Sequence, residues 1–217
     1  VYVKFLATGY ETKTTMSRIE KGQVKDKLLP NVCGTGITGD ELTKTNGKHL
    51  KEYALWGAMI KRCYDLKFHN KGKTYKDCSV SDNFKFFTFF KKWCNEQIGF
   101  NSVDDKGKPF ALDKDILVKG SKIYSEHTCV FVPAEINSLL IRCGRARGDL
   151  YIGVYFSKKN KKYVSQIRYN SNQIHLGHFD TETEAFYAYK QAKEAYIKEV
   201  ANKWKDKIDH RVYEALM

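Results

Sequence analysis

The chain has 217 residues, with 38 Lys and Arg against 25 Asp and Glu, which gives a formal net charge of +13. Hydrophobic residues make up 42% of the sequence and aromatic residues 14%, enough to build folded cores and to exclude a disordered linker protein. No apolar run approaches the roughly 18 residues of a membrane span, and the first segment lacks the apolar core of a secretory signal. We therefore expect a cytoplasmic protein without a membrane partner.

The basic residues are concentrated in one part of the sequence. Between Ile141 and Asn172, eight basic residues are opposed by a single acidic residue, Asp149. Such a cluster favours a polyanionic partner, because neutralising phosphates releases the counterions bound to them. Double-stranded DNA is the partner that we expect.

The six cysteines form no C-x-x-C pair, and a chain of this size and aromatic content does not need disulfides to fold. We interpret them as buried free thiols in a reducing compartment. A structural zinc site built on Cys63, Cys78 and Cys94 with a histidine is the alternative, but their spacing does not favour it.

Residues 1–48 are rich in Thr, Gly and β-forming side chains. The segment Val1–Phe5 alternates between apolar and polar residues, and glycines follow at 22, 34 and 36. This pattern predicts a small region of short strands joined by turns. It indicates no particular chemistry.

Residues 49–140 change in character. Apolar side chains at helical spacing predict an amphipathic helix over 53–64, and crowded aromatics predict a second helix over 84–93, buried on more than one side. Strands are predicted over 110–116 and 128–132. Pro133 suits the first position of a following helix that runs to Leu140.

A basic, glycine-broken linker is predicted over 141–150, and a clearer pattern follows it. Three strands are predicted over 151–157, 163–169 and 173–179. A helix is predicted after the third strand, and Thr181 and Glu184 at its start have the spacing of a capping box. Small residues along this helix, such as Ala185 and Ala188, would let it pack closely on the sheet.

Strand alternation divides the predicted sheet into two faces. Val154, Tyr163, Ser165, Ile167, Ile174 and Leu176 would cover the helix. The other face would carry Tyr155, Ser157, Gln166, Arg168, Gln173 and His175, flanked by Lys158, Lys159, Lys161 and Lys162 of the first turn and by Arg145 and Arg147 of the linker. A three-stranded sheet can enter the DNA major groove, where Arg and Gln pair with base edges. An ordinary solvated sheet face is the alternative.

Four segments of this region resemble the Apetala/ethylene-response-factor DNA-binding domain over about 50 residues: Tyr151-Ile-Gly-Val-Tyr, Lys162-Tyr-Val-Ser-Gln-Ile-Arg, His175-Leu-Gly-His-Phe-Asp-Thr and Glu184-Ala-Phe-Tyr-Ala-Tyr. The resemblance implies that the sheet docks in the major groove and that the same six residues contact bases. Arg168 keeps the residue type of the family. Tyr155, Ser157 and Gln173 stand where plant members often have arginine, so the resemblance does not transfer their GC-rich target.

The strand–loop–strand–helix predicted from Phe110 to Leu140 is the outline of a ββα-metal site. Leu112-Asp-Lys-Asp-Ile, Tyr124-Ser, Cys129-Val-Phe-Val and Ile136-Asn resemble phage-type HNH homing endonucleases, as do upstream segments around Trp56 and Phe84. The resemblance implies a Mg²⁺ or Mn²⁺ ion held by Asp113 and Asn137, which would polarise a scissile phosphate. A strand-end acid and a helix-surface amide without a metal are the alternative for this pair.

Two positions depart from the HNH pattern. Lys114 replaces the histidine that serves the family as general base, and Thr128 replaces the asparagine that steadies the loop. A lysine with an ordinary pKa near 10.4 is a poor base, although it could hold a phosphate. His127 or Asp115 could substitute as the base, and a surface-loop histidine and a solvated acid are the alternatives for these two.

The predicted fold is therefore α+β: a small β region (1–48), a central HNH-like ββα-metal domain with flanking helices (49–140), a linker (141–150) and a three-stranded antiparallel sheet packed on one helix (151–217). We expect a metal-dependent DNA endonuclease guided by the C-terminal sheet. The alternatives are a catalytically inactive, sequence-specific DNA-binding regulator and a protein-binding factor that blocks a host defence. The oligomeric state is left open, and a monomer is compatible with the sequence.

Overall fold

The computed structural model describes residues 1–71, 75, 77–139, 149–169 and 172–217. Helices α1–α7 and strands β1–β11 lie in these ranges, which confirms the α+β class. The chain divides into two compact units: unit 1 is Val1–Asn101 with Leu112–Phe131, and unit 2 is Ser102–Ala111 with Val132–Met217. Within the described ranges, no helix combines the length and the apolar character needed to cross a bilayer. The domain boundaries stay predictions.

Unit 1 begins with short elements, as the sequence predicts for its first residues. The strands β1 and β2 pair in an antiparallel hairpin that places Tyr2 opposite Lys13, and β3 and β4 form a second antiparallel pair. A short helix that the sequence analysis did not predict lies between the two hairpins. The bounds are β1 (Tyr2–Lys4), β2 (Glu11–Lys13), α1 (Met16–Glu20), β3 (Lys44–Thr45) and β4 (Lys48–His49).

The core of unit 1 lies between the two predicted helices. Trp56 is fully buried, and its indole Nε1 donates to the Phe84 carbonyl at 2.8 Å, which ties α2 to the turn before α4. Phe89 on α4 is 37% exposed, so the prediction that this helix is buried on more than one side was wrong there. The bounds are α2 (Lys51–Tyr64), α3 (Leu66–Lys71), β5 (Ser79–Val80), a 3-10 turn (Asn83–Lys85) and α4 (Phe87–Glu96).

The predicted strand–loop–strand–helix order is confirmed. The strands β6 (Ala111–Asp113) and β8 (Val130–Val132) form a two-stranded sheet, and α5 (Ala134–Leu139) follows. The loop between the two strands contains β7 (Ile123–Tyr124), which pairs in parallel with β5. These elements have the predicted order, but they do not by themselves establish an HNH domain.

Unit 2 contains the predicted antiparallel sheet, with strand order β11-β10-β9. Its strands are β9 (Val154–Ser157), β10 (Lys162–Tyr169) and β11 (Asn172–Phe179), followed by α6 (Glu182–Trp204) and α7 (His210–Leu216). The capping box at the start of α6 is confirmed: the Thr181 hydroxyl accepts from the Glu184 backbone N–H, and the Glu184 carboxylate accepts from the Thr181 N–H, both at 3.2 Å.

One face of this sheet packs against α6. Val154, Ser165 and Ile167 are buried on that face, as predicted, whereas Ile174, which lies opposite Ile167, is 41% exposed. Gly153 has a positive φ of +80°, and a Cβ at this position would lie 2.0 Å from the ring of Tyr189 on α6. Glycine is therefore required where the chain enters β9.

The end of α6 is fixed to α5 within unit 2. Glu135 on α5 accepts from the indole Nε1 of Trp204 and from the Lys203 ammonium, each at 2.8 Å. The Trp204 ring is buried and lies 5.6 Å from that of Phe110. The helix that carries Asn137 is thus part of the same compact unit as the C-terminal sheet.

Candidate functional site

The face of the sheet turned away from α6 carries most of the residues predicted to contact DNA. Residues directly opposite one another on neighbouring strands share a face. Starting from Lys162, alternate residues of β10 are paired with the following partners: Lys162 with Ser157, Val164 with Tyr155 and His178, Gln166 with His175, and Arg168 with Gln173. The six side chains assigned to the outward face are therefore together on it.

Most of these side chains are open to solvent. Arg168, Gln173 and His175 are exposed, Tyr155 is 44% exposed, and Gln166 is half-buried. The Arg168 guanidinium has no carboxylate partner among the described residues. The Gln173 amide nitrogen donates to the Gln166 side-chain oxygen, which aligns the two amides across the strands. An unpaired guanidinium beside two aligned amides offers donors and acceptors to a ligand that approaches the face.

A β-bulge adds a residue that the sequence analysis missed. The pairing skips Leu176, because Ser165 is opposite Gly177 whereas Gln166 is opposite His175. The extra residue brings His178 to the same face as His175, and the two rings lie 4.7 Å apart. Strict alternation would place these histidines on opposite faces. The sequence signal for the bulge was a glycine within a predicted strand, Gly177. Its φ is +144° in the structure.

The turn between β9 and β10 supplies positive charge beside this face. Lys158, Lys159 and Lys161 are exposed, and Lys161 has a φ of +52° in the turn. Lys162 differs from them, because its ammonium is paired with the Asp180 carboxylate. The other two cationic residues predicted to contact DNA, Arg145 and Arg147, lie outside the described residues.

A recess lies at the edge of the sheet, where residues of the outward face meet Ile167 of the opposite face and Tyr189 of α6. A cavity of about 240 Å³ is lined there by Gly153, Gln166, Ile167, Arg168, Gln173 and Tyr189. Gln166, Arg168 and Gln173 thus line a recess as well as a surface. A group inserted from solvent would meet an amide pair and a guanidinium.

The predicted metal ligand Asp113 is held by its own loop. This side chain is half-buried at the end of β6, and its Oδ1 accepts from the backbone N–H groups of Asp115 and Ile116 at 2.7 and 2.9 Å. These bonds close the turn after the strand and fix the orientation of the carboxylate. A fixed carboxylate is suited to a hard cation, since little conformational freedom is lost on binding.

Lys114, at the position of the general base, is occupied by internal contacts. It is 6% exposed, and its ammonium donates to Asp115 Oδ1 at 2.8 Å and to the Ser121 carbonyl at 2.5 Å. The ammonium also lies 5.6 Å from the centre of the Tyr124 ring. An ammonium held in this way has no lone pair with which to accept a proton from water. Its contacts hold the loop together.

The remaining loop residues either hydrogen-bond within the loop or are exposed to solvent. Thr128 closes the loop before β8: its hydroxyl donates to the Ile123 carbonyl at 2.8 Å and accepts from the Ser125 N–H at 3.1 Å. The His127 side chain is exposed, as is that of Asp115. Of the three residues predicted as the base, His127 is therefore the one whose side chain is exposed and not engaged by Lys114.

In the described ranges, no three or more His, Cys, Asp or Glu side chains form a group that could hold a metal ion. Mg²⁺ commonly uses one or two carboxylates and completes its shell with phosphate oxygens and water, so the oxygen atoms of Asp113 fit this ion. Asn137 is half-buried on α5 in unit 2, whereas Asp113 belongs to unit 1. In the alternative zinc set, burial raises the pKa of the Cys63 thiol to about 12 and also raises the pKa of the Cys94 thiol.

The two candidate regions thus differ in kind. The outward face of the sheet is a polar, cationic surface with exposed side chains, whereas Asp113 is a single fixed carboxylate in a loop stabilised by Lys114 and Thr128.

Comparisons with models of protein families, with curated proteins and with solved structures find no match to this chain.

Proposed function

We propose that this protein binds double-stranded DNA through the outward face of its C-terminal sheet. The observation that carries the proposal is the alignment of Arg168, Gln173, His175 and Tyr155 on one exposed face, beside the exposed lysines of the β9–β10 turn. The resemblance of this region to the Apetala/ethylene-response-factor domain supports the same docking mode. We infer a cytoplasmic location, which is that of the host cell if a phage encodes the protein.

The chemistry of the face suits the major groove. Arginine pairs bidentately with guanine and glutamine with adenine, and each good pair contributes about 1–3 kcal/mol of discrimination against a wrong base. Lysines of the turn would contact phosphates, which orient the protein but carry no sequence information. We therefore assign base recognition to Gln166, Arg168 and Gln173, and backbone attraction to Lys158, Lys159 and Lys161.

The test is selection of duplexes from a random pool, followed by fluorescence anisotropy with the selected duplex and a scrambled one. The full chain should prefer the selected duplex, and its affinity should fall steeply with salt. A double variant, Arg168→Ala with Gln173→Ala, should bind both duplexes equally. Lys198→Ala, which removes an exposed charge from α6, should keep the preference. Retained preference in the double variant would contradict the proposal.

A second candidate function is cleavage of the bound DNA with a divalent metal. It is favoured by the confirmed order of β6, β8 and α5 and by the carboxylate of Asp113, which two backbone N–H groups hold in place. Asp113 would supply a metal ligand. Asn137, the second ligand that the HNH resemblance implies, belongs to the other compact unit. The ion supplies Lewis-acid activation of the scissile phosphate when bound. His127 would accept the proton of the attacking water.

The buried Lys114 favours the alternative, a DNA-binding regulator without nuclease activity. Incubation of the full chain with a phage genomic library and Mg²⁺ or Mn²⁺ separates the endonuclease from the regulator. An endonuclease leaves strand breaks that can be mapped, whereas a regulator only protects its binding sites. Breaks that require the metal support the endonuclease. Footprints without breaks at every metal concentration support the regulator.

A further inference from the structure

The N-terminal part of unit 1 contains an open cavity that the proposed function does not use. Its volume is about 360 Å³, within the usual range of small-molecule sites. Four cationic side chains line it: Lys13, Arg18, Lys25 and Lys27. All four are exposed, so the cavity is open to ligands from solvent.

The local fold explains why cations distant in sequence line one cavity. Lys13 ends β2, and Arg18 lies in α1. Gly22, with a φ of +62°, then reverses the chain after the helix, and its N–H donates to the Ile19 carbonyl at 2.9 Å. The Gln23 N–H donates to the Arg18 carbonyl at 2.9 Å, which holds the returning segment against α1. This segment carries the remaining two lysines.

The positive charge of the cavity is only partly compensated. Lys27 pairs with Asp40 at 2.9 Å, and the same carboxylate oxygen accepts from the Tyr10 hydroxyl at 2.7 Å. Lys13, Arg18 and Lys25 have no carboxylate partner in the part of the chain that the structure describes. Asp26 lies between two of the lysines in sequence, but its oxygens accept from the Thr8 hydroxyl and the Leu28 N–H, and it does not line the cavity.

The wall of the cavity also contains an unsatisfied polar atom. Thr14 lines the cavity, and its Oγ1 is buried without a hydrogen-bond partner within the described residues. Buried hydroxyl groups are normally paired, since losing water without gaining another partner is unfavourable. Rotation of the Thr14 side chain toward the cavity would let this hydroxyl donate to an anionic oxygen bound there.

We propose that this cavity binds the phosphate group of a phosphate ester. Arginine and lysine are the side chains that recognise phosphate, and the hydroxyl of Thr14 adds a neutral donor. The volume leaves room for a sugar or base attached to the phosphate. The phosphate belongs either to a free nucleotide or to a DNA backbone; the second source rests on the proposed function, whereas the first does not.

The test is NMR titration of the full chain, labelled at threonine methyl groups, with inorganic phosphate, AMP and duplex DNA. The Thr14 methyl signal should shift saturably with at least one of the three. Arg18→Gln should weaken that binding about tenfold, because a charge-assisted hydrogen bond is lost. Lys21→Gln removes an exposed charge from the same segment but outside the cavity, and should change the affinity by less than about twofold, since solvent and salt screen it.

The outcomes separate the two sources and the failure of each proposal. If AMP saturates the Thr14 shift and Arg18→Gln leaves the DNA affinity unchanged, the ligand is a free nucleotide. If DNA shifts the Thr14 signal and Arg18→Gln loses DNA affinity, the ligand is the phosphate of the DNA backbone. A protein that binds no DNA would still be tested by the phosphate and AMP titrations. The proposal is overturned if no titrant shifts Thr14 saturably, or if Arg18→Gln and Lys21→Gln weaken binding equally.

Discussion

The C-terminal sheet and the loop between β6 and β8 both contain the residue types that DNA chemistry needs, but they use them differently. On the sheet, Arg168 and His175 are exposed and open to a ligand. In the loop, Lys114 is buried against Asp115 and Ser121, and Thr128 bonds to the backbone. A polar side chain is therefore available to a ligand only when contacts within the protein do not already engage its polar atoms.

The difference has a physical cause. The sheet packs against α6 through its other face, where Val154 and Ile167 are buried. On the outward face Val164 is buried as well, but the polar side chains around it are exposed or half-buried. The loop between β6 and β8 buries few apolar side chains, among them Ile116 and Tyr124. Its backbone groups are therefore satisfied in part by nearby side chains, and the polar atoms that make these bonds are not free for a ligand. At Asp113 the bonds from Asp115 and Ile116 both use Oδ1.

The largest expected effect is on cleavage. Asp113→Asn keeps an oxygen that can accept from the Asp115 and Ile116 N–H groups but removes the charge that a metal needs. We expect metal-dependent breaks to be abolished while DNA affinity stays unchanged. Asp104→Asn is the matched control, because Asp104 likewise accepts from the backbone N–H groups of a turn, at Lys106 and Lys108. Undiminished cleavage by Asp113→Asn would remove this residue from the metal site.

The next effect is on stability and concerns Lys114. Lys114→Met leaves the Ser121 carbonyl and the Asp115 carboxylate without their shared donor, so we expect the free energy of unfolding to fall by about 1–3 kcal/mol. Lys119→Met, at an exposed lysine of the same loop, should change it by less than about 0.5 kcal/mol. Urea denaturation measures both. Equal stability of the two variants would show that the contacts of Lys114 do not support the loop.

A comparable effect is expected on DNA affinity at the sheet. Arg168→Ala should cost about 1–3 kcal/mol of binding free energy and relax the base preference at one position. Competition of the selected duplex against single-base variants measures both quantities. An unchanged preference at every position would show that the assigned face is wrong.

The smallest effect is expected for a lysine of the β9–β10 turn. Lys161→Gly removes the charge at a positive φ that glycine adopts readily, so the turn should be preserved. All duplexes should be bound more weakly by the same factor, and the slope of log affinity against log salt should fall by about one. A loss confined to one sequence would instead assign Lys161 to base contact.

The regular elements were predicted correctly where the spacing of apolar or capping residues follows one clear pattern. The helix α2 and the capping box of α6 follow from the spacing of Tyr53–Tyr64 and from Thr181 with Glu184. Strict alternation failed at Leu176, because a bulge adds a residue to β11, and His178 was therefore missed on the polar face. Phe89 on α4 was expected to be buried, but aromatic content does not specify how many faces of a helix are covered.

The site residues were harder to predict, because their availability depends on tertiary contacts. Lys114 follows Asp113 directly, yet its burial comes from Ser121 and Tyr124, farther along the chain. The cavity near the N-terminus depends on a chain reversal at Gly22, which no periodic pattern encodes. Residue types and spacing thus predicted where polar groups occur, but not which of them are free.

Contact between DNA and the outward face of the sheet is best tested by amide NMR of the full chain with and without the selected duplex. If the face binds DNA, the largest shifts will occur at Tyr155, Gln166, Arg168 and His175, with small shifts at exposed positions of α6 such as Lys198. Large shifts along α6 with an unchanged sheet would contradict the proposed interface.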